Sequence, residues 1–179
     1  LIIPKKELSE SIDVRIEFIA GEQALNRKDD FLYTLFVPAN ASSCFPVFDQ
    51  PNIKGRYKLT LSLPKTWKAI SNEEVIRTTD SNNKLILEFG ETPPISSYLF
   101  AFSAGSFKTV SKTIEGKKYT MFHRESDSVK VKNNIEEIFY WHHNSLTWLE
   151  EYTDIKYPFN KFGFVLLPSF QFGGMEHPG

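Results

Sequence analysis

Hydrophobic positions along this chain change their period once. Up to His123 they alternate in short runs, and beyond it they recur every three or four residues. Ile12, Val14, Ile16 and Phe18 fall on one side of an alternating run, which predicts a half-buried strand over residues 12–19. Residues 26–30 read as a polar turn, and 31–37 as a mostly apolar strand. Residues 38–51 read as irregular, because Pro38, Pro46 and Pro51 each remove a ladder donor. Alternation returns over 57–63 and stops at Pro64. Further strands are predicted over 75–78, 85–89, 98–102, 107–110 and 119–123, with Gly105 turning the chain between two of them. Short strands at this spacing, separated by Gly, Pro and Asn turns, predict an antiparallel sandwich.

After His123, Ile135, Ile138, Phe139, His142, Leu146 and Leu149 build one apolar helix face. Ser126 or Ser128 is placed to cap it, and residues 153–158 end it at Pro158. Residues 162–167 read as one more strand, closed by Pro168. Trp141 and Trp148 are seven apart, so they share a helix face and are expected to pack against the strands. The change of period places a domain boundary near Arg124. Residues 1–124 are read as a β domain and 125–179 as the beginning of another.

The composition narrows the function classes. A hydrophobic fraction of 41% with 16 Phe suffices to fill a core. Lys plus Arg number 21 against 22 Asp plus Glu, so no broad positive field exists and nucleic acid is not expected as a partner. The single cysteine, Cys44, reads as a buried apolar thiol. The longest nearly apolar run, residues 98–102, is too short for a membrane span. No charged leader with an apolar stretch is seen, and nothing in the sequence assigns a compartment. A start at Leu1 and a stop at Gly179, inside a Gly-rich stretch, are read as the ends of a fragment.

The informative segment is Phe172-Gly173-Gly174-Met175-Glu176-His177-Pro178-Gly179. Two glycines let a backbone approach a ligand without a Cβ in the way. Their peptide groups can pair with an extended chain in β fashion. Glu176 places a carboxylate just beyond, where it can hold a cationic amine by charge-assisted hydrogen bonds. Taken alone, the segment reads first as a Gly-Gly turn followed by a solvated glutamate.

Its surroundings add weight. The segment resembles the Gly-x-Met-Glu-Asn signature of the aminopeptidase N family of zinc peptidases, with Tyr157-Pro158-Phe159 and Val165-Leu166-Leu167-Pro168 at the family's spacing upstream. Cys44-Phe45-Pro46-Val47-Phe48-Asp49-Gln50-Pro51 resembles its Phe-Pro-x-Phe-Asp-x-Pro turn. Tyr98-Leu99-Phe100-Ala101-Phe102, with Gly105 and Phe107, resembles its Tyr-Leu-x-Ala-Phe strand. The blocks occur in family order.

The resemblance implies a mainly β fold: an antiparallel, saddle-like β-sandwich domain followed by a helix and strand that begin a thermolysin-like α+β catalytic domain. It implies peptide substrates with a free N-terminus. Gly173, Gly174, Met175, Glu176 and His177 would form the substrate-binding loop, with Glu176 on the α-amine. Asp49 and Pro51 would be structural, shaping a turn near the domain junction. Zinc would belong to the full-length parent and would not be bound by this fragment. The family's metal motif, His-Glu-x-x-His, follows the Gly-x-Met-Glu block further along the chain and is absent from these residues. The fragment alone is therefore expected to be inactive, and to self-associate through uncovered sheet edges and helix surface.

Three positions depart from the family pattern. His177 stands where Asn is usual. Leu35 and Val37 stand where many relatives carry Gln and Glu beside the amine site.

Other readings are weaker. His142 and His143 point about 100° apart on a helix, which does not suit one metal. His142 reads as a core histidine and His143 as a surface one. Glu73-Glu74 and Glu150-Glu151 are adjacent pairs whose side chains diverge, unlike a glycosidase pair. Asn40-Ala41-Ser42 is a glycan acceptor only in a secreted setting. The rival functions are a noncatalytic β-sandwich binding module, for carbohydrate or protein, using exposed aromatics such as Trp67, and a scaffold homologue without a metal site.

Overall fold

Ten strands and one long helix form the chain in a computed structural model that describes residues 11–179. Proline, glycine and asparagine interrupt several of the runs, as at Pro64, Asn72, Asn82-Asn83 and Gly116, and keep the strands short. Strands β1 (Leu25–Arg27), β2 (Phe31–Thr34), β4 (Lys68–Ser71) and β7 (Phe102–Gly105) make a four-stranded antiparallel sheet in the order β1-β2-β7-β4. Strands β3 (Lys58–Pro64), β5 (Val75–Ser81) and β6 (Lys84–Glu91) make a second antiparallel sheet with β6 central. Asn82 and Asn83, both at positive φ, form the β5–β6 turn.

The third sheet is built differently. Strands β8 (Lys108–Ile114) and β9 (Lys117–His123) are a hairpin, and β10 (Phe162–Leu166) lies parallel to β9. Helix α1 (Ser128–Thr153) makes the crossover between β9 and β10, as a parallel pair requires. The sheet therefore spans the boundary expected near Arg124. Tyr119 and Met121 on β9 pack with Phe139 and Leu146 of α1, all four buried.

Asp127 caps α1, accepting hydrogen bonds from Val129 N (2.9 Å) and Lys130 N (3.0 Å). Such a cap contributes about 0.5–2 kcal/mol. The serines expected to cap the helix flank the true cap. Asp154, at φ 54°, ends it in the left-handed region. Glu150, on the last turn, is buried and accepts from Lys117 Nζ (2.6 Å) and Tyr157 N (2.9 Å). These bonds hold its carboxyl down at about 2 and fasten the Tyr157-Pro158 loop to the helix.

Several expectations need correction. Residues 12–19 form no strand: Ile12, Val14, Ile16 and Phe18 are all more than half exposed, with no ladder to pair with. The run 98–102 is not a continuous strand. A 3-10 turn (Ser97–Leu99) occupies its start, and pairing with β2 and β4 begins only at Phe102. Leu25–Arg27 and Lys68–Ser71 are strands that periodicity did not reveal. Leu149, Trp141 and Trp148 are largely exposed, and Trp148 stacks on Tyr152 of the same helix (4.9 Å between centroids). Trp67 is half-buried against the second sheet, so it offers no open aromatic platform.

Cys44 is buried with Phe36, Phe100 and Ile95, and burial raises its thiol pKa, opposed by Arg27. No helix among the described residues is long and apolar enough to cross a membrane.

Candidate functional site

A cavity of about 440 Å³ opens where the first sheet, β10 and the C-terminal loop meet. Tyr33 and Thr34 of β2, Ile70 and Ser71 of β4, and Phe164 of β10 contribute walls. Gly173, Gly174, Met175, His177 and Pro178 line its mouth. Glu176, between two of these lining residues, is exposed and is not part of the wall.

The glycines stand in free space. A Cβ added at Gly173 or Gly174 would meet no atom within 4 Å, and neither has positive φ. Neither packing nor backbone conformation calls for glycine at these two positions.

The loop rests on hydrocarbon. Met175 and Phe170 pack on a cluster of buried Phe31, Tyr33, Leu35 and Phe107, joined by Val37. The structure thus gathers Leu35, Val37 and Met175 in one apolar group. The space beside the loop holds the aliphatic side chains of Leu35 and Val37.

Polar contacts fix the loop's far end. Asn72, only 4% exposed, donates from Nδ2 to the Leu99 carbonyl (3.0 Å) and the Pro178 carbonyl (2.9 Å), and Oδ1 accepts from Ala101 N (2.8 Å). Lys161 Nζ donates to Gly179 O (2.5 Å), which also accepts from Gly163 N (3.0 Å). The Lys161 carbonyl accepts in turn from Tyr157 Oη (3.0 Å).

Burial shapes the electrostatics here. It lowers the Lys161 amine to about 8, opposed by Glu73 and Glu74. It also raises the Tyr157 hydroxyl to about 12. His177 is pushed down by burial, against the Leu99 backbone and the Glu176 charge, and its Nδ1 is buried without a partner.

Asp49 and Pro51 lie elsewhere, in the loop packed on the Ser97–Leu99 turn. Asp49 accepts from Ser42 N (2.9 Å) and Ser97 Oγ (2.6 Å), and the Pro51 carbonyl accepts from Ser96 Oγ (2.5 Å). Burial works against the Asp49 charge, yet the bonds from Ser42, Ser97 and Ala41 outweigh it and lower its pKa.

The histidines do not fit a zinc site. His142 stacks on Phe164 (3.9 Å between centroids), with Nδ1 2.7 Å from the Ile138 carbonyl. His143, expected at the surface, is largely buried, with Nδ1 3.0 Å from Tyr119 Oη. Among the described residues no group of three His, Cys, Asp or Glu side chains is placed to hold a metal.

Sequence reasoning reached the loop and missed its fixings. Asn72 and Lys161 belong to no motif. The lone cation of Lys161 between Phe159 and Phe162 was the available hint of a buried amine.

Comparison with known proteins bears on the whole arrangement. Residues 21–99 match the Peptidase M1 N-terminal domain. A leucyl aminopeptidase of Saccharolobus solfataricus is 32% identical over 162 residues, covering 90% of this chain and 20% of the relative. Aminopeptidase M1-A of Oryza sativa subsp. japonica is 31% identical over 153 residues (85% and 17%). Aminopeptidase N of Streptomyces lividans is 30% identical over 151 residues (83% and 17%). The chain spans a fifth or less of the length of these curated relatives. On the Peptidase M1 N-terminal domain match and on likeness over more than four-fifths of its residues to three aminopeptidases, the chain belongs to the M1 aminopeptidase family.

Proposed function

We propose that this chain supplies the amine-recognition wall of the substrate cleft in a zinc-dependent aminopeptidase, which removes N-terminal residues from peptides. The observation that carries the reading is the pair Gly173-Gly174, Cβ-free in open space at a cavity mouth, followed within two residues by the exposed carboxylate of Glu176. The glycine peptide groups align an extended peptide by strand-type pairing. Glu176 accepts charge-assisted hydrogen bonds from the ammonium at the peptide's end. With Leu35 and Val37 aliphatic, Glu176 is the sole carboxylate of this loop available to the amine.

In this reading residues 1–124 form the N-terminal β domain and residues 125–179 open the catalytic domain, with β9–β10 pairing across the junction. Asp49 and Pro51 brace the turn beside that junction. In this reading the 179-residue chain, which carries no His-Glu-x-x-His motif, is inactive alone.

The test uses the full-length protein and aminoacyl anilides. Glu176→Ala should lower kcat/KM by about tenfold or more, as loss of a charge-assisted bond implies. Unchanged kcat/KM in that variant removes the amine-recognition role.

A further inference from the structure

Building on the amine-recognition reading, we infer that His177 is a positioning residue: its uncharged ring, seated in the cavity wall, turns Glu176 outward, and acid unseats it. The direction of Glu176 follows from its neighbour. Pro178 confines His177 to extended backbone, and along an extended stretch successive side chains point to opposite sides. His177 lines the cavity, and Glu176 is exposed outside it. Anchors close by leave the stretch little freedom. Asn72 Nδ2 holds the Pro178 carbonyl at 2.9 Å and the Leu99 carbonyl at 3.0 Å. The seated imidazole is thus the peg that sets which way the next carboxylate points.

The peg fits only without charge. His177 Nδ1 is sealed from solvent and has no hydrogen-bond partner. An imidazolium carries an N–H on both nitrogens. Protonation would therefore bury a charged donor where neither water nor an acceptor meets it. The Leu99 backbone and the Glu176 charge favour the charged ring, but burial outweighs both and lowers its pKa. Tyr33 of β2, His142 of α1 and Lys161 before β10 line the same cavity, and Glu73 and Glu74, beside Asn72, act on Lys161. Among these groups, the charge that acts on the ring is that of Glu176, on its own loop.

A free imidazole titrates at 6.5, and the seated ring lies below that. As pH falls through 6.5, a released loop takes up a proton that the seated loop refuses, so the seat weakens toward acid. An asparagine at this position would carry no such dependence, because an amide does not titrate. Release costs Glu176 its fixed direction. Binding of the substrate amine then suffers before the chemical step does, so KM rises more than kcat falls.

The experiment follows amide exchange and aminoacyl-anilide kinetics in the full-length protein at about pH 7.5 and about pH 5, each protein being compared with itself at the higher value. In the parent, exchange of residues 173–177, corrected for its intrinsic rate, should quicken about threefold or more toward acid. KM should rise by a similar factor beyond the change seen in His177→Asn. His177→Asn and His177→Gln should both lose the acid-linked exchange, so a folding defect in one leaves the other to decide. The same pH dependence of exchange in parent and variants overturns the inference. So does His177-linked exchange with no difference in KM, provided that Glu176→Ala has lowered kcat/KM at the higher pH. If Glu176→Ala leaves kcat/KM unchanged, the amine-recognition reading has failed first and this inference falls with it.

Discussion

Asn72 and Pro178, 106 residues apart, are joined by a 2.9 Å hydrogen bond in which the buried side-chain amide holds the end of the glycine loop to the sheet region. The same amide holds Leu99 and Ala101, so one side chain registers three stretches of backbone.

Replacing that amide with a methyl leaves two carbonyls and an N–H without their partner. Asn72→Ala should therefore cost about 1–3 kcal/mol. The urea midpoint should fall at unchanged slope, and amide exchange in residues 176–179 should quicken. Asn72→Asp should be worse, because it turns an acceptor toward the Leu99 and Pro178 carbonyls.

Lys161 makes stability depend on alkaline pH. Its folded pKa of about 8 lies below the ordinary 10.5, so between those values the unfolded chain binds more protons than the folded one. Stability should then rise as pH increases through that window. Denaturant midpoints measured from pH 7.5 to 10.5 should show the rise, and Lys161→Met should flatten it. An equal slope in the variant assigns the effect to another group.

The glycines divide by role. A Cβ at Gly105 would lie 2.4 Å from Phe31 Cβ and 2.8 Å from the Asp30 carbonyl, both poorly able to retreat. Gly105→Ala should cost about 1–3 kcal/mol by overpacking. Gly173→Ala should stay within about 0.5 kcal/mol of the parent, while weakening peptide substrates in the full-length protein. Thermal denaturation separates the two at once, and loss of stability in Gly173→Ala would show that the loop's glycine serves packing.

Exposed apolar rows predict association of the 179-residue chain. Ile12, Val14, Ile16 and Phe18 line one uncovered segment, and Trp141, Trp148 and Tyr152 crowd the outer side of α1. Light scattering should show mass growing with concentration, and Trp148→Ser combined with Phe18→Ser should reduce it. A clean monomer at high concentration contradicts this.

Much of this architecture could be read from residue order, and the failures have physical causes. α1 was legible because Ile135, Ile138, Phe139 and Leu146 bury one face against β9 and β10. Its cap was misplaced by one residue, since Ser126, Asp127 and Ser128 can all cap and only backbone geometry chooses. Residues 12–19 alternate like a strand, but a strand exists only with a partner, and none lies beside them among the described residues. Lys68–Ser71 is the converse: its short run signals nothing, and its pairing with β7 defines it. At the site, the loop was visible because its residues are contiguous. Asn72 and Lys161 were invisible because they reach it from distant parts of the chain.

Beneath Met175 the loop has only greasy, directionless contacts, whereas past Glu176 it is bolted at Pro178 and Gly179. Such a segment is held at both ends and cushioned between them, so its crest rides at the height of the apolar side chains below it. Trimming or enlarging Leu35 would then swing the carboxylate without touching it. On the proposed reading, selectivity for the first amino acid then drifts through the bulk of a buried aliphatic, with every polar group left in place.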